Sequence, residues 1–266
     1  MNLDLKGKSV IVTGGGSNIG RAIVLGFAAE GANVTIGDIN AEQAQATAEL
    51  ALRGGAAGAH AVKTDVTRLD QVKAMFRTAV DKFGSVDVLV NNAGWWGPLI
   101  YFTQTQPELW QKVIEINYVG ALNCTKTALE LMVPRKAGAI VFISSDASRQ
   151  GEPGQAVYGG VKAAINSFMK TIAKENGRYD IRCNVVCPGV TLPSNTEELA
   201  ASSVWLDAGV MFTPEQLEKV ALSVPLRKLG RPQDIANAAV FLASAKAAGH
   251  VTGQVLSVSG GYSMVG

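Results

Sequence analysis

Ser9-Val-Ile-Val-Thr13-Gly14-Gly15-Gly16-Ser17-Asn18-Ile19-Gly20, with the residues that carry it on to Asp38, decides the fold. Ser9 to Thr13 is a short β-branched run with turn residues after it, which predicts a strand. Arg21 to Glu30 then shows helical periodicity through Ile23, Phe27 and Ala28. A glycine-rich turn between strand and helix lets backbone N–H groups approach a pyrophosphate at the helix N-terminus. A glycine cluster alone is equally a plain tight turn. Here a second strand, Asn33 to Gly37, follows and ends in Asp38. An acid about 20 positions past the glycines is placed to hydrogen-bond an adenosine ribose hydroxyl. It also suits the N-cap of the next helix.

The same alternation continues outward. Ala41 to Leu52 predicts an alanine-rich helix closed by Arg53-Gly54-Gly55, and Ala59 to Thr64 a third strand leading into Asp65-Val66. Val72, Met75, Phe76, Ala79, Val80 and Phe83 mark one apolar helix face, which reads as core, and Gly84 stops that helix. Val86 to Val90 is a fourth strand ending in Asn91-Asn92-Ala93-Gly94. Strands alternating with helices and no hairpin signals predict an α/β domain: a Rossmann-like, doubly wound parallel sheet of seven strands, with helices on both faces. Ligands of such sheets sit beyond the carboxyl ends of the strands, and Thr13-Gly14, Asp38, Asp65, Asn91 and Ser145 all fall there.

Ala139 to Ile143 reads as the buried strand that delivers Ser144 and Ser145. A loop bearing Gly151, Pro153 and Gly154 precedes a helix with Tyr158 and Lys162 four residues apart, hence on one face. A free phenol has a pKa near ~10. A neighbouring ammonium favours the phenolate, so Tyr158 is placed to exchange a proton with an alcohol or carbonyl oxygen that Ser145 holds. Taken alone, the pair is an ordinary surface Tyr and Lys. A long helix is expected over about 107–132 with Asn117 in its middle, either as a solvent-facing or capping residue or at a kink with a freed carbonyl. Ile181 to Cys187 is a sixth strand ending at Pro188-Gly189, Pro232 to Ala243 a helix, and Gly253 to Val258 the seventh strand. Residues 190–225, with Pro193, Pro214 and Pro225, break the rhythm and read as a long loop, a substrate lid within a single domain of residues 1–266.

Composition excludes several function classes. The 266 residues are 47% hydrophobic and 17% charged, enough for a sizeable core. A formal net charge of +2 gives no reason to expect nucleic acid or an anionic membrane as partner. No stretch resembles a signal peptide or approaches a membrane span, so a cytoplasmic location is expected. Cys124, Cys183 and Cys187 read as buried free thiols, and His60 and His250 belong to no ligand-spaced cluster, so no metal site is expected.

Together these residues resemble the short-chain dehydrogenase/reductase family, of the compact type, from about residue 5 to the C-terminus. The cofactor turn is matched by Gly14, Ser17, Asn18, Ile19 and Gly20, the fourth-strand motif by Asn91, Ala93 and Gly94, and the nicotinamide-side turn by Pro188 and Gly189, with Val190 and Thr191 beyond it. Asn117, Ser145, Tyr158 and Lys162 match the catalytic tetrad. The resemblance implies that Tyr158 is the acid/base and that Lys162 lowers its pKa and binds the nicotinamide ribose. It further implies that Ser145 polarises the substrate oxygen, that Asn117 supports a proton relay, and that Asp65 and Val66 contact the adenine. It also implies a homo-oligomer, a tetramer. Two positions depart from the family pattern. Asn18 replaces a glycine, which asparagine tolerates in left-handed backbone, and Pro193 replaces a threonine that Thr191 or Ser194 would have to replace in turn.

The expected activity is NAD-dependent interconversion of a secondary alcohol and a ketone. An NADPH-dependent 3-oxoacyl reductase and a catalytically silent subunit of the same fold are the alternatives. Asp38 favours NAD, since a carboxylate would face the extra phosphate of NADP, and no Arg or Lys stands at Gly15, Gly16, Ser17, Gly37, Ile39 or Asn40. Arg21 is expected to point along the first helix. Trp95, Trp96, Tyr101, Trp205, Met211 and Phe212 fall in loops expected around the site. They point to a bulky apolar or cyclic substrate, or equally to packing or subunit contact. Gln155 is assigned to the substrate side, and Arg149 to a thioester's phosphate or to an ordinary surface charge.

Overall fold

Strand β1 (Ser9–Thr13) is buried along its whole length. A strand covered on both faces reads as an unbroken apolar run. Val10 and Val12 face one half of the core and Ile11 the other, as the two-residue period of a strand requires. The structure, a computed structural model, describes residues 2–192 and 213–264. Among them β1 pairs in parallel with β2 (Asn33–Asp38) on one side and β4 (Val88–Asn91) on the other. With β3 (Gly58–Lys63), β5 (Gly138–Ile143), β6 (Ile181–Pro188) and β7 (Val255–Val258) they form a seven-stranded parallel sheet, ordered β3-β2-β1-β4-β5-β6-β7. The chain winds one way from β1 to β3 and the other from β4 to β7, so the crevice of a doubly wound sheet opens between β1 and β4.

One face carries α1 (Asn18–Ala29) and α2 (Ala41–Arg53), packed through Phe27, Ala48 and their neighbours. The other carries α3 (Leu69–Phe83), whose predicted stripe is buried at Val72, Met75, Phe76 and Ala79. Cys124, Cys183 and Cys187 are all free and buried.

Four local readings are corrected. The single helix expected over 107–132 is α4 (Pro107–Ile114), a π turn (Glu115–Val119) and α5 (Gly120–Arg135). Asn117 sits in the π turn, buried, and donates from Nδ2 to Val113 O at 2.9 Å and Trp95 O at 2.7 Å. It is neither solvent-facing nor a cap. A side chain inserted into the helical ladder widens it by one residue. Asp38 does not cap α2, because Asn40 does, accepting from Gln43 N. The loop after Ser145 contains the short helix α6 (Ala147–Gln150) before α7 (Ala156–Asn176).

Finally, the stretch 190–225 is not all loop. Residues 193–212 lie outside the described residues, but α8 (Pro214–Ser223) is a helix opened by a reciprocal capping box between Thr213 and Gln216.

The C-terminal part is fastened by a buried cation. Arg182 on β6 donates to Leu242 O at 2.7 Å, Ala243 O at 2.8 Å and Ala248 O at 3.0 Å. These carbonyls end α9 (Pro232–Ala243) and α10 (Ala245–Ala248), where the helix dipole favours a positive charge. No helix of the described residues is long and apolar enough to cross a membrane.

Candidate active site

The glycine turn lies where strand and helix nearly touch. A Cβ on Gly20 would stand 1.9 Å from Gly14 O, and one on Gly14, at φ +62°, would stand 2.9 Å from the Ala93 Cα. Side chains at either place would push α1 away from the β1–β4 crevice. Asn18 takes φ +44°, the left-handed conformation that asparagine tolerates, so the turn keeps its shape without the glycine. Ser17 makes no side-chain cap bond, so the first-turn N–H groups of α1 are left for a ligand. The Asn18 Oδ1 is likewise buried without a hydrogen-bond partner. A backbone cradle at a helix N-terminus fits a pyrophosphate.

Asp38 is held at the wall of this cradle. Its Oδ2 accepts from Gly16 N at 2.8 Å and its Oδ1 from Asn40 N at 2.9 Å. Each carboxylate oxygen keeps lone pairs for further donors, such as ribose hydroxyls. Arg21 does not point along α1. Its guanidinium folds back behind the turn and donates to Gly16 O at 2.7 Å and 3.1 Å, and to Thr47 Oγ1 at 3.1 Å. The backbone of Gly16 is thereby held at both its N–H and its C=O, and Arg21 is not among the residues lining the cleft.

One cleft of about 810 Å³ runs along the carboxyl ends of the strands. Gly14, Ser17, Asn18, Ile19, Gly20, Asp38, Asp65, Val66, Ala93 and Gly94 line it, as do Ser145, Tyr158, Lys162, Pro188, Gly189, Val190 and Thr191. Trp95, Trp96 and Gln155 line it too. Asn91 and Asn117 instead border a cavity of about 10 Å³ behind it, with Thr13, Val66 and Lys162. That is close to the space one water occupies. Arg149 does not line the cleft among the described residues and pairs with Asp146 at 3.6 Å. Tyr101 is exposed and outside the lining, and Trp205, Met211, Phe212, Pro193 and Ser194 lie outside the described residues. Thr191 is buried and donates to Gly189 O at 3.1 Å, keeping acceptor capacity towards the cleft.

Lys162 Nζ lies 5.6 Å from the centroid of the Tyr158 ring and donates to Ile143 O at 3.0 Å. The expected lowering of the phenol is not what this geometry produces. Burial pushes Tyr158 up to about 12, and a hydrogen bond with Ser145 offsets only part of that. Burial also brings Lys162 down to about 8, with the Cys187 thiol opposing. Loss of hydration is therefore the dominant effect at the phenol. At neutral pH Tyr158 keeps its proton.

Sequence reasoning missed Asp146, Glu152, Lys112 and Tyr262, all of which line the cleft. Asp146 and Glu152 sit beside residues already singled out, so proximity in the chain was an available signal. Tyr262 had none, since it reaches the site from the far end of the chain.

A parallel sheet with a glycine cradle and a Ser–Tyr–Lys set along one carboxyl edge defines a class of nicotinamide-dependent enzymes, and the comparisons agree. The family described as enoyl-(acyl carrier protein) reductase matches residues 14–263. The chain belongs to the short-chain dehydrogenase/reductase family and is an oxidoreductase of that family. The 3-oxoacyl-[acyl-carrier-protein] reductase of Synechocystis sp. is 36% identical over 262 residues, covering 98% of each chain. That of Thermotoga maritima is 36% identical over 97% of this chain and 98% of its own. An NAD+-bound xylitol dehydrogenase superimposes with a TM-score of 0.86 at 29% identity, over 97% of this chain and 100% of that one. A 3-ketoacyl-(acyl-carrier-protein) reductase from Brucella melitensis complexed with NADH gives 0.85 at 28%, over 98% and 100%.

Proposed function

We propose that this chain interconverts a secondary alcohol and a ketone with NAD(H), Tyr158 acting as the acid/base. The observation that carries the cofactor choice is Asp38, fixed by Gly16 N and Asn40 N beside the cradle. Lys112 and Lys162 are the only Lys or Arg among the described lining residues, and neither is next to Asp38 in the chain. Two like charges at about 4 Å cost roughly 4 kcal/mol at an intermediate effective dielectric. A third of that is about a tenfold preference against a ribose phosphate.

When bound, the nicotinamide gives or takes the hydride. The chain's own residues do the rest. Ser145 holds the substrate oxygen by a hydrogen bond. The protonated Tyr158 phenol gives its proton to that oxygen as a carbonyl is reduced, and takes one from it in the reverse direction. Lys162, anchored to Ile143 O, supplies positive charge beside the phenol. Asn117 clamps the backbone of Trp95 and so fixes the loop that walls the cleft.

The relatives support a second reading of the substrate, a 3-oxoacyl thioester, and it is the first class to test. The Brucella enzyme is a 3-ketoacyl reductase in complex with NADH, so this substrate class does not itself demand NADPH. Against it, the one residue expected to hold a thioester's phosphate, Arg149, is paired with Asp146. The test is a panel of ketones and 3-oxoacyl thioesters with NADH and NADPH, followed by absorbance of the reduced nicotinamide. Turnover with NADH about tenfold more efficient than with NADPH is expected. Equal efficiency would overturn the cofactor assignment, and no turnover of any carbonyl compound would overturn the reaction. The same reading takes the protein to be a homotetramer, and a monomer in light scattering would remove that part.

A further inference from the structure

Ser148 and Asn166 have no part in the reaction just described, yet they join the two elements that carry it. Ser145 lies between β5 and α6, whereas Tyr158 and Lys162 ride on α7. Asn166 follows Lys162 at the same spacing by which Lys162 follows Tyr158, so all three share one face of α7. The two helices lie in direct contact: a Cβ on Gly159, next to Tyr158, would stand 3.0 Å from Ala147 O. A hydrogen-bonded bridge crosses that contact. Asn166 Nδ2 donates to Ser148 Oγ at 2.8 Å, and Ser148 Oγ donates to Ser145 O at 2.5 Å. Neither Ser148 nor Asn166 is among the residues lining the cleft.

The direction of the bridge follows from its groups. A carbonyl only accepts, so the single Ser148 proton goes to Ser145 O and Asn166 has to present a donor. That leaves Asn166 Oδ1 buried with no hydrogen-bond partner among the described residues. An unpaired buried acceptor destabilises a fold, and an apolar side chain of that shape would avoid the loss. Packing alone does not account for the asparagine.

We infer that Ser148 and Asn166 are positioning residues, which hold the Ser145 peptide against α7 and so keep the Ser145 hydroxyl in register with the Tyr158 phenol. The inference rests on the oxidoreductase reading, in which those two groups meet one substrate oxygen. Ser145 O also accepts from Ser148 N at 3.0 Å, a bond local to the α6 turn. Loss of the Ser148 hydroxyl therefore leaves α6 its turn and removes this link to α7. Ser145 Oγ in turn accepts from Ala147 N at 3.2 Å, so the hydroxyl follows the α6 turn wherever it settles. A displacement of about 1 Å at a reacting group can cost roughly 10²-fold in rate.

The test uses the carbonyl compound of the panel that the intact protein reduces best, with NADH. Ser148→Ala should lower kcat about tenfold, the worth of one hydrogen bond, with the Kd for NADH unmoved. Asn166→Ala should lower kcat by less, and its loss should disappear when Ser148 is already alanine, because both act through one bridge. In a Ser145→Ala background the loss from Ser148→Ala should vanish as well. An equal loss there, or an unchanged kcat for Ser148→Ala alone, would overturn the inference. Should Ser148→Ala melt too low to assay, Asn166→Ala, which keeps the hydroxyl, carries the same pair of comparisons. A crystal structure of the variant gives an answer that needs no turnover: Ser145 Oγ should shift from the Tyr158 phenol by about 0.5 Å or more. Ser145 kept in place would overturn the inference and leave the oxidoreductase reading intact. Ser145 displaced, with no carbonyl compound reduced by the unaltered protein, would sink that reading and keep the bridge.

Discussion

The two ends of the cleft are built by different means. At the glycine cradle the geometry is set by backbone against backbone: Gly20 against Gly14, Gly14 against Ala93, and Gly16 N bonded to Asp38 only 22 positions on. At the other end it is set by side chains meeting across the chain, Ser257 with Asp146 over 111 positions and Tyr262 with Glu152 over 110. Backbone contacts leave no room for variation, whereas side chains carried on the ends of elements can be exchanged without moving the sheet. One frame can thus hold a constant cofactor and a changeable substrate site. The likeness of this chain both to acyl carrier protein reductases and to a xylitol dehydrogenase is what such a division produces.

Tyr158 stands where the two ends meet, and its replacement has the largest expected effect. Tyr158→Phe should lower kcat by about 10²- to 10⁴-fold while NADH affinity, read by fluorescence titration, is kept. Near-normal kcat would remove its role as acid/base. Gly20→Ala should weaken NADH binding about tenfold or more, because the methyl group is forced onto the Gly14 carbonyl. Tyr262→Phe should leave the same Kd unmoved, and equal losses in both variants would erase the contrast between the two ends. Smaller still, Asp38→Ala with Ile39→Arg should cancel the roughly tenfold preference for NADH. Ile39 is 66% exposed, so an arginine there meets no steric barrier. Unchanged selectivity would show that Asp38 is not what reads the ribose.

The smallest effect concerns stability. Lys162 titrates at about 8 in the fold, below its unfolded value near ~10.4. Below pH 8 the buried ammonium is a full burden on the fold. Between those two values the folded amine is neutral while the unfolded chain still binds a proton, so stability rises with pH. Lys162→Met should therefore raise Tm near pH 7, by about 2–4 °C per kcal/mol relieved, and the gain should shrink towards pH 10. A gain independent of pH would show that the charge is not the source.

What the sequence makes legible follows the same division. The turn from Thr13 to Gly20, the stripe on α3 and the placing of Ser145, Tyr158 and Lys162 are local patterns, and the structure has them. Asn117 is half legible: a mid-helix asparagine signals something, but its partner is the backbone of Trp95, 22 positions away. Arg21 was misplaced because its acceptor, Gly16 O, lies behind it, where no pattern of the helix points. The capping box Thr213-Pro214-Glu215-Gln216 is a local signal for α8, outweighed in the reading by the prolines around it. The phenol was misjudged because charge can be counted along a chain and burial cannot.

Arg182 has a consequence for how the molecule is made. Its carbonyl partners lie 60 to 66 positions further along the chain, and β7 docks beside it after them. Contacts between such distant segments form late, and in a chain emerging from the ribosome they wait for residues 242–248. The glycine cradle is complete once β4 is in place, whereas Ser145, Tyr158 and Lys162 come only with β5 and α7. A growing chain would own the glycine cradle before it owned the residues that hold and protonate a substrate oxygen.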